Sequence, residues 1–422
     1  MNLIRTSLLS FIATMTKLVS GMVINKVVAV YAGPSGLALI GQFQSLVQIL
    51  MSFSQGGVNQ GVIKYTAEKK DDTEQLTLYS SASLRITLFS SVLVSVFCII
   101  FASMLSEVVF GEDSYVTLIR VFGAMVLLYA VNQWYLCTLN GRGLIGDFIK
   151  VQIIQNIFML FFCTVMVVNF ETLGALYALA IGQSMVLIYL IVLRGVDFFN
   201  SLKSLVITPS NTLYIKFFKF SLMTLTTAAV VPLVQIQIRN IIGDQLGNDS
   251  VGYWQGVWYI STMYLLVLTT VLSTYLLPKL SSIQEVEKLD SELIRIVKLL
   301  IPVSILFAAF IFTIKSLLVS FLFDGSFQGM LPLFKWQLIG DVVKIASWVF
   351  SYIMLAKSMT KAYIYSEVFF GFLLLTLSHV LLNSHGLEGI TLAYLINNIF
   401  YFVFACYNYM RWRNKIEIGS VS

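Results

Sequence analysis

LLSFIATMTKLVSGMVINKVVAVY, residues 8–31, is the stretch of sequence that decides the fold. It is apolar and exceeds the roughly 20 residues that a helix needs to cross a membrane, yet Lys17 lies near its middle. A lysine at the centre of a membrane-spanning helix costs about 2.5 to 3.5 kcal/mol to insert, so it usually faces a polar cavity. Its length and two lysines distinguish the stretch from a cleaved signal peptide, and we expect it in the mature protein.

Apolar stretches of this length recur along the whole chain. Hydrophobic residues make up 58% of the 422 residues and charged residues only 11%, and the alternating pattern of an outer-membrane barrel is absent. The sequence therefore predicts an all-α polytopic membrane protein with about 12 transmembrane helices. The predicted spans are 6–31, 38–63, 78–104, 115–139, 149–169, 172–193, 217–241, 253–277, 299–322, 334–356, 362–382 and 389–410.

The loops predict the orientation of the chain. One set carries most of the lysines and arginines, whereas the alternate set is mostly acidic. Since Lys and Arg mark the cytoplasmic side, we expect a multi-pass protein with both termini in the cytoplasm. The net charge of +6 is then a topology signal and requires no nucleic-acid partner. The four cysteines fall within spans without metal-ligand spacing and are interpreted as small hydrophobic residues.

The sequence also predicts that the chain consists of two halves with six spans each. The segment from Gly33 (GPSGLALIGQ) aligns loosely with the segment from Gly247 (GNDSVGYWQG), and Lys64 falls one position from the equivalent of Lys279. A parallel repeat of this kind predicts two lobes around a cavity. The expected parts are an N-terminal lobe, a cytoplasmic linker and a C-terminal lobe, at residues 1–200, 201–216 and 217–422. Apolar residues at helical spacing in 281–298 predict an interfacial amphipathic helix.

Polar stripes indicate which faces line that cavity. Four amides of the second span recur at steps of 4, 7 and 4 residues, which places them on one helix face: Gln44, Gln48, Gln55 and Asn59. The tenth span carries a comparable stripe with Gln337, and the eighth span contributes Trp258 near its outer half. Buried amides need polar partners, so these residues are candidates for contacting sugar. Ordinary hydrogen bonding between helices is the alternative for any single amide.

The charged residues inside spans have alternative interpretations too. Asp341 and Lys344 lie three residues apart and either form a structural pair or act separately. Lys26, Arg120 and Arg239 either face the cavity or extend to the outer interface. Glu367 either neutralises a cavity cation or takes up a proton and couples transport to it. The candidate cavity cations are Lys17, Lys26, Arg120, Arg239 and Lys344, and the candidate coupling or charge pair is Asp341 and Glu367.

Cations among amides and aromatic residues suit an anionic, sugar-bearing amphiphile, because lysine and arginine bind phosphate and amides bind hydroxyl groups. Several stretches in both halves resemble one transporter family by their order and spacing. They are TKLVSGMVINKVVAVYAGPSGLALIGQF (16–43), GVIKYTAE (61–68), KFSLMTLTTA (219–228), GYWQGVWYIS (252–261), YLLPKLS (275–281), FKWQLIGDVVKIASWVFSYIMLAK (334–357) and SEV (366–368). The sequence thereby resembles the Wzx-type lipid-linked oligosaccharide (O-antigen) flippases, in the polysaccharide-transporter branch of the MATE-like (MOP) superfamily.

The resemblance implies a V-shaped transporter of the bacterial inner membrane. Its substrate would be an oligosaccharide linked to undecaprenyl pyrophosphate, moved from the cytoplasmic to the periplasmic leaflet by alternating access. The seven candidate charged residues fall at charged positions of the similar flippases, whereas Arg85 has no counterpart and could serve as a cytoplasmic-end anchor. The resemblance suggests the polymerase and the chain-length regulator of the same pathway as partners.

Two other function classes remain open. A cation-coupled MATE-like antiporter of small molecules would need a carboxylate inside its N-terminal half, and the first six spans contain no internal Asp or Glu. A membrane-bound enzyme would need a large outer loop or a cluster of histidine and carboxylate, whereas the two histidines, His379 and His385, are isolated from such groups. We therefore expect a transporter without a cofactor or a metal site.

Overall fold

A computed structural model of the protein describes residues 3–68, 72–271, 280, 285–356 and 359–419. These residues are almost entirely helical, as predicted. The helices are α1 (Leu3–Ser54), α2 (Asn59–Glu68), α3 (Thr73–Ile100), α4 (Ala102–Phe110), α5 (Val116–Gly141), α6 (Ile145–Leu202), α7 (Asn211–Leu246), α8 (Asn248–Val271), α9 (Val286–Leu322), α10 (Phe334–Ala356), α11 (Thr360–His385) and α12 (Glu388–Gly419). Short 3-10 segments occupy Asp113–Tyr115, Lys203–Val206 and Gly325–Leu333.

Eight helices among the described residues are long and apolar enough to cross a membrane. The prediction of many apolar spans is therefore confirmed, while the number twelve stays a prediction. Two of these apolar segments are 41 and 48 residues long, which is about twice the length that one crossing needs. Each is divided by a residue with non-helical backbone angles, Gly33 in α1 and Glu171 in α6. The long helices α8 and α10 lie outside this set. Both carry polar residues within their length.

Helix α6 doubles back at Glu171, whose backbone φ of 48° is not helical. Near the two ends of α6, Arg194 donates hydrogen bonds to Asp147 and, at 2.5 Å, to Asp197. Two residues 47 positions apart can meet in this way only if the chain reverses between them. The hydrogen bonds to Asp197 and Asp147 raise the pKa of Arg194 above its usual value. This contact closes the hairpin at the end expected to face the cytoplasm.

The predicted second span, 38–63, is not one continuous helix. Helix α1 ends at Ser54 and α2 begins at Asn59, and between them Gly56 and Gly57 have φ of 62° and 65°. The left-handed region strains any residue with a Cβ, so the glycine pair permits the break. The expectation that all four amides share one face is therefore wrong, because Asn59 starts a new helix.

Arg85 has a structural role that the sequence left open. It donates a 2.7 Å hydrogen bond to the carbonyl of Leu205, and Ser81 donates one of 2.6 Å to the carbonyl of Ile207. Both carbonyls belong to the segment between α6 and α7, which falls within the predicted linker, 201–216. Side chains of α3 thus bind the backbone carbonyls of this segment.

The chain forms two compact units, residues 1–32 with 39–236 and residues 33–38 with 237–422. In the first unit, Trp134, Tyr135 and Phe217 are fully buried in the core, and the Trp134 indole donates a 2.9 Å hydrogen bond to Ser83. In the second unit, α10 packs against α12, with Ile345 and Val349 at the centre of the core. The lobe boundaries at 200 and 217 stay a prediction.

The segment predicted as an interfacial amphipathic helix, 281–298, is instead largely the start of α9, which continues to Leu322 without a break. Its apolar residues Leu289 and Leu293 are buried in the core of the second unit. The helical spacing was interpreted correctly, but protein rather than a lipid interface covers the apolar face. Lys279, the proposed repeat equivalent of Lys64, lies outside the described residues.

Candidate functional site

Three helices of the second unit present polar and aromatic side chains at helical spacing. Residues three and four positions apart share a helix face, and α8, α10 and α12 each carry such a row. The rows are Trp254, Trp258 and Ser261 on α8, Gln337, Asp341, Lys344 and Trp348 on α10, and Tyr394, Asn398 and Tyr401 on α12. The contacts described below join these rows into one site, here called the C-terminal polar cluster.

Asp341 is the centre of this cluster. Its side chain is fully buried, with 0% exposure. Oδ2 accepts hydrogen bonds of 2.6 Å from the hydroxyls of Ser261 and Tyr264, and Oδ1 accepts bonds from Tyr394 at 2.8 Å and Gln337 at 3.3 Å. Four donors satisfy the carboxylate within the protein, which lowers the cost of burying it.

Lys344 lies among aromatic rings. Its ammonium is 5.3 Å from the ring centroid of Trp258, 5.2 Å from that of Trp348 and 5.1 Å from that of Tyr394. Each distance is within the range of a cation–π interaction. In the described part of the chain, its ammonium meets no hydrogen-bond acceptor and no carboxylate within 4 Å, so its three N–H donors point at no protein oxygen. The structure therefore shows no direct ion pair between Asp341 and Lys344.

A second cation, Arg239, joins the cluster from α7. It is only 2% exposed, and its guanidinium donates to the Gln255 side chain at 3.1 and 2.8 Å. The guanidinium also lies 5.4 Å from the Trp254 ring, which contacts Trp258 at a centroid distance of 5.6 Å. Tryptophan rings thereby connect the surroundings of Arg239 and Lys344. Two cations in aromatic surroundings are suited to bind a phosphate group and the sugar next to it.

Glu367 of α11 is half-buried, and among the described residues nothing donates a hydrogen bond to it. It is close enough to interact electrostatically with Lys344 and with Tyr401. Tyr401 itself donates a 3.0 Å hydrogen bond to Ser351. Unlike Asp341, Glu367 retains its full capacity to accept a proton or a ligand donor.

The other candidate residues lie in the first unit. Lys17 and Arg120 are exposed and Lys26 is half-buried. Gln44 and Gln48 are also exposed on α1, whereas Gln55 is buried at the helix break, where the Asn59 amide donates a hydrogen bond to it. The amides thus form two groups, an exposed pair on α1 and a hydrogen-bonded pair at the break.

Tyr394 and Ser261 were not among the residues predicted from the sequence, although both donate hydrogen bonds to the Asp341 carboxylate. Tyr394 is followed by Asn398 and Tyr401 at steps of four and three, a polar row in an otherwise apolar span. That row was a detectable signal of a buried polar face.

Comparison with known proteins places this chain in a family. A model of the family described as "Polysaccharide biosynthesis protein" matches residues 3–284. The chain belongs to this polysaccharide biosynthesis family. A lipid III flippase of Escherichia coli (strain K12) is 31% identical over 422 residues, covering 98% of this chain and 100% of the relative. A lipid III flippase of Shigella flexneri matches to the same extent.

Solved structures share the fold of this family member at low sequence identity. The inward-facing conformation of a multidrug resistance MATE family transporter of the MOP superfamily has a TM-score of 0.78, with 14% identity and 94% of each chain covered. A MOP superfamily transporter from Pyrococcus furiosus, described as having a binding pocket of reversed polarity, has a TM-score of 0.68 with 14% identity, covering 94% of this chain and 95% of its own. The chain therefore has a MATE-like fold and is a multi-pass membrane protein, as predicted.

Proposed function

We propose that this protein is a flippase for a lipid-linked oligosaccharide. The observation that carries the proposal is the match over nearly the full length of this chain to lipid III flippases. The relatives that it matches are flippases and not enzymes. No group of three or more potential metal ligands occurs among the described residues.

The substrate proposed in finer detail is an oligosaccharide on undecaprenyl pyrophosphate, such as an O-antigen repeat unit. The C-terminal polar cluster supports it, because the ammonium of Lys344 has donors that no described protein oxygen accepts, and pyrophosphate oxygens are strong acceptors. The Trp258 ring beside Lys344 is half-buried and is suited to contact a sugar next to the phosphate. We propose transport by alternating access from the cytoplasmic to the periplasmic leaflet of the inner membrane, with both termini cytoplasmic. The polymerase and chain-length regulator of the pathway remain proposed partners.

The proposed coupling residue is Glu367. Four donors already satisfy Asp341, so protonating it would break a complete network. Glu367 has no such network among the described residues. Its protonation would remove one of the two negative charges that act on Lys344 and leave that of Asp341. A proton taken up on the outer side would thus change the charge of the site before the next transport cycle.

Transport in reconstituted vesicles tests this function. Purified protein is inserted into vesicles carrying a fluorescent lipid-linked oligosaccharide, and the label that reaches the opposite leaflet is measured over time. We expect movement of this lipid and none of a fluorescent cationic drug. Transport of the drug alone would favour an antiporter and overturn the proposal.

A matched pair of lysines on α10 tests the role of the cluster. Lys344→Gln should abolish transport. Lys335→Gln should retain it, because Lys335 is exposed and lies over Trp336 at 4.4 Å. Equal loss in both variants would show that Lys344 has no special role in binding.

A further inference from the structure

The first unit contains a large apolar cavity that the polar cluster does not use. Its volume is about 650 Å³, which is within the usual range of ligand pockets. Phe53 and Gly56 at the end of α1 line it, together with residues of α3 and α7. All of these residues lie within the first unit.

The chemistry of the cavity wall excludes a polar ligand. Among the described side chains, no charged residue lines it, and the hydroxyls of Ser90, Tyr214 and Ser221 are its only polar groups. Ser221 already donates its hydroxyl to the carbonyl of Phe217 at 3.1 Å. The rest of the wall is aromatic or aliphatic, so a hydrocarbon chain fits it and a sugar or phosphate does not.

The cavity opens at the surface of the first unit. Phe89 of α3 and Phe218 of α7, which both line it, are each 68% exposed. Exposed phenylalanine rings on helices of such an apolar protein are suited to contact hydrocarbon. A lipid chain could therefore enter sideways.

The break between α1 and α2 fixes both walls. A Cβ on Gly56 would lie 2.7 Å from Ile86 of α3, and one on Gly57 would lie 2.9 Å from Leu225 and from the Ser221 carbonyl of α7. The two glycines therefore set the distance of α3 and α7 from the break. Next to them, Gln55 and Asn59 form a hydrogen-bonded amide pair. The break between α1 and α2 thus lies beside an apolar cavity and also carries two amides that can form hydrogen bonds with hydroxyl groups.

We propose that this cavity binds the isoprenoid chain of the lipid-linked substrate, while polar residues bind its head group. The inference rests on the proposed function and extends it to the tail. Isoprenoid and acyl chains are about equally apolar, so moving a chain from the bilayer into the cavity gains little hydrophobic energy. Recognition must come from van der Waals fit, and narrowing the cavity should discriminate against a long tail.

Paired tryptophan variants on α3 test this proposal. Val94 lines the cavity, whereas Val92 on the same helix does not and is exposed. Transport is measured in vesicles with two substrates that share the pyrophosphate and glycan, one undecaprenyl-linked and one with a short neryl chain. Val94→Trp should raise the apparent KM of the long-tailed substrate about fivefold, equal to roughly 1 kcal/mol. It should leave the short-tailed analogue unchanged, and Val92→Trp should change neither.

The outcomes separate the two claims. If the parent protein transports neither substrate, the proposed function fails, and the tail site with it. If the parent transports both and Val94→Trp slows both equally, or slows neither, the cavity does not hold the tail and the proposed function stands. Should Val94→Trp yield no folded protein, Ser90→Leu adds less volume to the same wall, and the same selective effect is required of it.

Discussion

Replacing Asp341 by alanine and by asparagine should separate its hydrogen bonds from its charge. Three donors from other helices reach the carboxylate, the hydroxyls of Ser261, Tyr264 and Tyr394. A hydrogen bond between membrane helices contributes about 0.6 kcal/mol, and a charged acceptor roughly doubles this. Alanine should therefore cost about 3.5 kcal/mol of hydrogen bonding. Asparagine should cost about half of that, since its oxygen accepts one bond and its amide donates to the other two hydroxyl oxygens.

The difference between the two variants is the decisive quantity. Both remove a buried charge and relieve its desolvation to the same extent, so that contribution cancels. We expect the free energy of unfolding in detergent, measured by chemical denaturation, to be about 2 kcal/mol lower for Asp341→Ala than for Asp341→Asn. Equal stabilities, or a less stable asparagine variant, would refute the view that these hydroxyls converge on the carboxylate.

Three further predictions concern transport. Lys17→Ala should abolish glycan export but leave folding and membrane insertion intact, because it removes the free-energy cost of inserting a lysine. Export at the parental rate would exclude Lys17 as a phosphate ligand. In a double-mutant cycle on export rate, adding Asp341→Asn should not restore export to Lys344→Gln, because the Lys344 ammonium lies among aromatic rings and forms no direct ion pair with Asp341. Recovery of export in the double variant would show instead that the two charges compensate each other. Glu367→Gln should slow export and make the residual rate insensitive to an imposed pH gradient in vesicles; a parental response would remove Glu367 from the coupling step.

The sequence predicted the helices well, because a membrane requires long apolar segments and few other patterns satisfy that requirement. It did not predict the break at 55–58. The amides there continue the helical spacing of Gln44 and Gln48, and the Gly56–Gly57 pair was the competing signal. The helical spacing of polar residues places them on one face only as long as the helix is unbroken.

The candidate site was predicted in part for a similar reason. Spacing within one helix placed Gln337, Asp341 and Lys344 on one face, which the structure retains. Spacing cannot show which neighbouring helix supplies the partners, so the hydroxyl of Tyr394 was missed. A separation of three residues suggested an ion pair, yet the Lys344 ammonium lies among aromatic rings instead.

The contact of Arg85 with the segment between α6 and α7 has a consequence for how that segment can evolve. Arg85 and Ser81 bind main-chain oxygens, which every residue possesses, so the contact does not depend on which side chains the segment carries. Substitutions there should be tolerated freely. Insertions or deletions shift the carbonyls out of reach, so length is expected to be under stronger selection than composition. Homologues should accordingly differ in the sequence of this segment but keep its length.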